Sequence, residues 1–510
     1  MTQVTLLDRF VNRLSPTKGV QRVRARAQFN AMVNTGPVSR QGGKKTGTLV
    51  NWIVNKLSRF GEQQERESVT DRAQDLTANN PHATSCIDSM TVNVVGTGLT
   101  PQSRPKAKKL GITEQQSRDF AEQAEWIYQK WSRHADIQGR LTFQDMQFLA
   151  SYSMLMNGEY LFLPTMRSGK PGPNESAVRL ALQGLSPLRM TTPSDKFNDF
   201  RIRDGVELNK VGTPTGYWIA TPQNEKLTPY LKASDFTRYP AWIGHRPGVL
   251  HSFFNAAKEP ERVRGVSVLA PAMKFFKDLT DYLDFELVGN IVASSFPVFI
   301  EKSDPMGYVE NNVESDGDEN YHEEYEPGSV HYGNPGEKPH ILKSDRPSNT
   351  FDGFVETILR SIGASVGLPY EVVAKDFSKT NYSSARAALL EAWRVYLVHR
   401  TWLVRHFCQP VWEMVLEEAY LRGELQLPQG GPDFYDAMAE YCNADWIGPA
   451  RGHVDPQKEM VANVKGLENN ILTLSDIVAE HGKDWESQLE QRGREVEKQK
   501  DQNLSDQEEE

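Results

Sequence analysis

The chain has 510 residues, 38% hydrophobic and 25% charged, enough for two to four domains and a large core of ordinary globular composition. Its net charge of -9 excludes a protein that grips nucleic acid through a general excess of bases. Three widely spaced cysteines, Cys86, Cys408 and Cys442, exclude a disulfide framework and a paired-cysteine metal site, and fit a reducing cytoplasm.

The first sixty residues carry eleven Lys or Arg and one acid, Asp8, whereas the last ten contain Asp501, Asp506, Glu508, Glu509 and Glu510 and no base. Both ends read as solvated tails; a docking role for the basic arm is the other reading. Met1 to Phe10 lacks the apolar run of a secretory signal. Leu287 to Ile300 is interrupted by Asn290, Ser294, Ser295 and Pro297 and is too short to span a bilayer, so no membrane is expected.

A helix is expected from Thr70 to Val95, broken near Asn80-Pro81 and stopped at Gly96-Thr97-Gly98. A second spans Thr113 to His134, with Phe120, Ala124, Ile127 and Trp131 at helical spacing, and Thr142 caps a third in which Phe148, Tyr152 and Leu155 share a face. Strands follow at Glu159 to Leu163, around Arg179 to Leu185 and at Tyr217 to Ala220, punctuated by Gly205, Gly212, Pro214 and Gly216. The class is therefore α+β.

A helix from Ser267 to Gly289 carries one apolar stripe, Leu269, Met273, Phe276, Leu283 and Leu287. An insert rich in acid, Gly and Pro, from Glu301 to Pro347, excludes a long helix but leaves room for short strands such as His340 to Leu342. A second striped helix, Asn349 to Val366, shows Phe351, Phe354, Ile358 and Ile362 on one face and stops at Gly367-Leu368-Pro369. A polar loop to Asn381 leads into a long helix, Ser383 to Arg422, which Pro410 should kink or break near Gln409. Short helices and turns follow Pro428. The striped pair suits a hairpin within one chain, the plainer reading, or a row of neighbouring copies closing into a ring.

The residues themselves are more specific. Ala364 to Glu371, then Asp376 and Asn381 to Ala387, resembles the signature of lambda-family phage portal proteins. Further blocks follow the family's order: Arg72 to Leu76 with Asn79-Asn80, Gly158-Glu159, Gly205 to Glu207, Gly212 to Pro214, Arg264 to Pro271, Glu326 to Ser329, Pro335 to Glu337, Asp445 to Gly448 and Asp455 to Glu459. The resemblance spans roughly residues 60 to 490.

It implies a homo-oligomeric ring, dodecameric in the virion, at one capsid vertex. The expected regions are a basic N-terminal arm (1–60), an α+β wing (61–266), a first stem helix (267–292), a clip (293–348), a second stem helix (349–366), a tunnel loop (367–382), a long kinked helix with the rest of the wing (383–454), a helical crown (455–490) and an acidic tail (491–510). The implied partners are further copies of the chain, double-stranded DNA in the channel, the terminase large subunit, the major capsid or scaffold protein, and a head-completion or tail connector protein. No cofactor, metal or enzymatic activity is implied. A twelve-membered ring would carry a net charge of about -100, and acidic walls keep DNA from sticking. Lys375, Asp376, Lys379, Asn381 and Tyr382 are the expected channel-facing residues, with Lys375 and Lys379 touching phosphates.

Two other readings stay open. Gly363-Ala364-Ser365-Val366-Gly367 matches the G-x-S-x-G elbow of serine hydrolases, with Asp376 or Asp445 and His453 following in hydrolase order, although Phe354, Ile358 and Ile362 precede it at helical rather than strand spacing. A non-enzymatic tail or capsid adaptor without a DNA path is the other. Gly96-Thr97-Gly98 reads as a turn, because Pro101 occupies the third glycine position of a dinucleotide motif. His322 to Glu326 lacks a second zincin histidine, and Asp316 to Glu319 lacks calcium-loop spacing, so a solvated acidic loop is favoured over a divalent-ion site. With no Walker lysine loop, ATP chemistry belongs to a separate motor.

Overall fold

Asn80 makes the first architectural break. Its side chain accepts from the backbone N–H groups of His82 and Ala83, and Pro81 stands where a helix has an N–H with no partner to lose. In the computed structural model this separates α1 (Arg59–Asn79) from α2 (Pro81–Val94). The described residues are 59–501 except 171, 173–174, 222–231, 255–260, 295–297, 303–336, 342–350 and 451–455, together with Ser15 and Lys18. The chain divides into two units, Met1–Glu65 and Arg66–Glu510. Helix α1 begins well before the expected Thr70. Its buried stripe is Arg66, Thr70 and Ala73, correctly spaced for a helix but not apolar, so hydrophobic periodicity misses it.

Helices α3 (Glu114–Ser132) and α4 (Phe143–Met156) start at Thr113 and Thr142, each closing a capping box, with Gln116 and Asp145 respectively. Phe120, Ala124, Ile127 and Trp131 bury as their spacing requires. Strand β1 (Thr100–Ser103) lies between α2 and α3. After α4 come β2 (Tyr160–Met166), β3 (Leu180–Leu185), β4 (Ile202–Arg203), β5 (Val206–Leu208), β6 (Pro214–Ala220), β7 (Phe236–Pro240), β8 (Trp242–Ile243), β9 (Arg246–Pro247) and β10 (Leu250–Ser252). They form antiparallel sheets in the orders β10-β2-β3, β4-β5-β6-β7 and β8-β9.

Strand β2 separates two cores. Tyr160 and Phe162 face the main core, while the alternating Leu161 and Leu163 join a second one with Met190, Val206, Tyr217 and Ile219. In the main core the Phe143 and Phe407 rings stack at 5.5 Å, and the buried Trp131 donates its indole N–H to the Leu180 carbonyl at 2.8 Å.

Helix α5 (Met273–Ser294) starts later than expected. Ser267 to Ala272 fold into turns ending in a 3-10 turn at Ala270–Ala272, and Pro271, tolerated only in a first turn, fits there. Strands β11 (Val298–Lys302) and β12 (Glu337–Ile341) pair from Val298 opposite Ile341 to Lys302 opposite Glu337. The acids between Glu314 and Glu326 lie outside the described residues. Helix α6 (Phe351–Val366) follows. The long helix is α7 (Tyr382–Leu403), a π-turn at Val404–Cys408, and α8 (Gln409–Leu421). Of the expected kink or break near Gln409, the break does not occur: the helix runs on through this irregular π-turn directly into α8, whose second residue is Pro410.

A strand unforeseen in the sequence, β13 (Ala444–Ile447), pairs antiparallel with β1. Helices α9 (Pro456–Glu468), α10 (Leu474–Glu480) and α11 (Trp485–Asp501) complete the described chain, and α11 runs across residue 491, the expected start of the acidic tail.

Candidate functional site

The segment 367–382 is a built surface element. Gly367 stops α6 at φ +77°, and the absent side chain of Gly363 lets the chain fold back: a Cβ there would stand 2.4 Å from the Leu368 carbonyl oxygen, whereas the Leu368 N–H now donates to the Gly363 carbonyl at 2.9 Å. The expected unbroken polar loop instead contains a helical turn, Tyr370–Ala374, pinned by buried Val373. One apolar turn is too short to register as periodicity. Lys375 ends that turn in the left-handed region, at φ 52°. The Asp376 carboxylate accepts from the Ser378 N–H at 2.9 Å, and hydrogen bonding to Ser378 holds its pKa below the ordinary value. Asn381 caps α7 by accepting from the Ser384 N–H at 2.9 Å, and Tyr382 opens that helix half-exposed. Lys379 pairs with Glu356 on α6. The five expected channel residues therefore lie in one short surface segment that ends in the first residue of α7, with Lys375, Lys379, Asn381 and Tyr382 exposed and Asp376 half-buried.

Several of the resemblance blocks meet in space at a second place. Glu159, fully buried, accepts from the Arg264 guanidinium at 2.6 and 2.9 Å, from the Gly265 N–H at 3.0 Å, and lies 2.9 Å from His251 Nε2. Arg264 also donates to the carbonyls of Met190, Asp204 and Pro187. Arg66 of α1 pairs with the Asp204 carboxylate. Burial alone would drive the Glu159 carboxyl up, but the Arg264 guanidinium and His251 overcome it and hold it well below the usual carboxylate range. The glycines make this crossing feasible: a Cβ on Gly265 would lie 2.0 Å from the Gly158 carbonyl oxygen, and one on Gly158 2.3 Å from the Val266 backbone. The cluster thus ties α1, both larger sheets and the segment entering α5 together. In the sequence its signals are the resemblance blocks that hold Glu159 and Arg264, each a charge beside a glycine, and neither block names the other as its partner.

A third cluster joins α3 to α11. Glu125 accepts from the Ser103 N–H at 2.7 Å, and Arg104 stands 3.7 Å from both Asp445 and Glu486. Burial pushes the Glu125 carboxyl up to about 7; the Ser103 N–H and Arg104 oppose this, and Asp484 and Glu486 add to it. A folded-state pKa raised above 4.5 gives stability that is full below that value and is lost as pH rises through about 7. Glu125→Gln is therefore expected to gain about 1–2 kcal/mol over the parent at pH 8 and almost nothing at pH 4. Urea midpoints at the two pH values measure it; equal differences at both would refute the assignment.

Helix α5 has two apolar faces where the sequence suggested one. Phe276 and Leu279 are buried, and Tyr282 packs its ring 5.6 Å from Phe351 and 5.0 Å from Phe354 on α6. Leu283 and Leu287, expected in the same stripe, are instead exposed, together with Phe285 (70% exposed), Val288 and Ile291.

The hydrolase geometry is not built. Ser365 lies within α6, its hydroxyl donating to the Ile362 carbonyl at 2.7 Å, with no strand before it to make the elbow. Asp445 is on β13, and His453 lies outside the described residues. The 316–319 and 322–326 motifs lie outside them too. Among the described residues no three His, Cys, Asp or Glu side chains are grouped to hold a metal, and no helix is long and apolar enough to cross a membrane.

A family model described as "Phage portal protein, lambda family" matches residues 49–400. The chain is 26% identical over 449 residues to the portal protein of Escherichia phage N15, covering 83% of each chain. It is 24% identical over 449 residues to portal protein B of Escherichia phage lambda, covering 83% of this chain and 82% of the other. Among solved structures it is similar to a chain of the neck of a native gene transfer agent particle computed with C12 symmetry (TM-score 0.37, 14% identity, 69% of this chain and 81% of that one). A chain from the virion of a native gene transfer agent particle gives a TM-score of 0.38 at 13% identity, over 89% of this chain and 98% of that one.

Proposed function

Because the chain belongs to the lambda family of phage portal proteins, we propose that its copies close into a ring at one vertex of the capsid, through which DNA enters during packaging and leaves at ejection. The observation that carries the ring is the second apolar face of α5. Phe285, Leu287, Val288 and Ile291 stand in solvent on a single copy, and contiguous apolar surface of that kind belongs against another protein surface. A second copy supplies it at every position of a closed ring.

In this reading α5 and α6 form the stem, 293–348 the clip, 367–382 the tunnel loop, 61–266 with 383–454 the wing, and 455–490 the crown. The ring binds further copies of itself, the DNA in its channel, the terminase large subunit that supplies ATP chemistry, the major capsid or scaffold protein, and a head-completion or tail connector protein. No catalytic step is assigned to the chain, and its place is the virion. The net charge of -9 per copy suits a conduit, because a wall that repels phosphates lets DNA pass.

Light scattering coupled to size exclusion, with negative-stain images, tests the reading directly. Rings with a central opening are expected; monomers under all assembly conditions would end it.

A further inference from the structure

We propose that Glu356 is a positioning residue for the loop 367–382: it holds Lys379 against α6 and leaves Lys375 as the loop's free cation. This rests on the reading of that loop as the segment facing DNA.

The loop is fixed at both ends by different means. Val373 is buried in the main core, and Asn381 caps α7. Between them residues 375–380 sit at the surface with local hydrogen bonds, Asp376 to the Ser378 N–H and the Thr380 hydroxyl to the Phe377 carbonyl at 2.9 Å. The bond that leaves this stretch runs from the Lys379 ammonium to the Glu356 carboxylate on α6. Glu356 also pairs with Arg360 one turn on, at 3.2 Å, and the Arg360 guanidinium lies 5.5 Å from the centre of the Tyr370 ring, at the other end of the loop. Two residues on one face of α6 thus grip the loop at two points.

The two lysines are left in different electrostatic states. A phosphate approaching Lys379 must compete with Glu356, whose bond to the ammonium raises the lysine's pKa and lowers the carboxyl's. Lys375 is exposed, and among the described residues no carboxylate lies within ion-pair distance of it. Only an unpaired lysine adds its full share to the counterion release that governs salt-dependent contact with DNA.

Two readouts test this. Amide hydrogen exchange of residues 376–380 in the full-length assembled protein should quicken about two- to five-fold in Glu356→Gln, the range expected for losing an exposed ion pair. The charge-exchanged pair Glu356→Lys with Lys379→Glu should restore it. Unchanged exchange in Glu356→Gln would overturn the tether. In particles assembled with each variant, the salt dependence of DNA release should weaken in Lys375→Gln, stay close to the parent in Lys379→Gln, and steepen in Glu356→Gln. Equal weakening by both lysine variants would also overturn the tether while leaving the conduit intact. If Glu356→Gln loosens the loop but no variant alters DNA handling, the tether stands and the conduit reading of this loop is lost.

Discussion

Glu159→Ala is expected to lower the unfolding free energy by about 3–5 kcal/mol, the range for removing one partner of a buried ion pair. Arg264 is 3% exposed, and in the variant its guanidinium would face Asp204 and three carbonyls but lose its bidentate carboxylate. The Gly265 N–H would also lose its acceptor in a place water does not reach. The cluster anchors the segment entering α5, so the variant should lose ring assembly with its stability. Replacing both partners, Glu159→Leu with Arg264→Met, should recover part of the loss, because no unpaired charge is left buried. Chemical denaturation of the three proteins measures it, and a loss under about 1 kcal/mol in Glu159→Ala would mean the cluster is solvated and carries no such weight.

The second large effect concerns the outer face of α5. Phe285→Asp combined with Ile291→Asp is expected to leave the fold intact, since both side chains stand in solvent on a single copy. It should abolish rings. Two apolar side chains of this size contribute about 1.5–3 kcal/mol each when buried, and two carboxylates in their place must be desolvated without partners. Each interface is weakened by at least about 3 kcal/mol, more than a hundred-fold in affinity, and a closed ring repeats that loss at every contact. Circular dichroism with light scattering gives the answer. A variant that keeps both its helix content and its rings would place the subunit contact elsewhere.

Local rules were readable wherever their partners lie within a few residues. Thr142 caps its helix as its sequence context suggests, because its side chain reaches an N–H three positions on, and Thr113 and Asn381, read only as the start of a helix and the end of a loop, cap theirs in the same way. Gly367 ends α6 because a left-handed residue is needed there. The same rules failed where a segment is too short or its buried face too polar. The turn Tyr370–Ala374 is a single apolar turn, and the buried stripe of α1 is Arg66, Thr70 and Ala73. Strand β13 carries little apolar alternation, and its place is set by pairing with β1, over three hundred positions away.

The candidate site divides in the same way. By itself the amino-acid order determined the α+β class, most of the helices, the resemblance to lambda-family portal proteins and the short segment that carries Lys375, Asp376, Lys379, Asn381 and Tyr382. It could not pair Lys379 with Glu356, turn Phe285 and Ile291 outward, or bring Glu159, separated from Arg264 by 105 positions, against that guanidinium. Caps, stops and periodicity act over one or two helical turns and leave a trace in neighbouring letters. A buried charge gains its partner only when distant segments pack together and water leaves, so that pairing belongs to the tertiary structure alone.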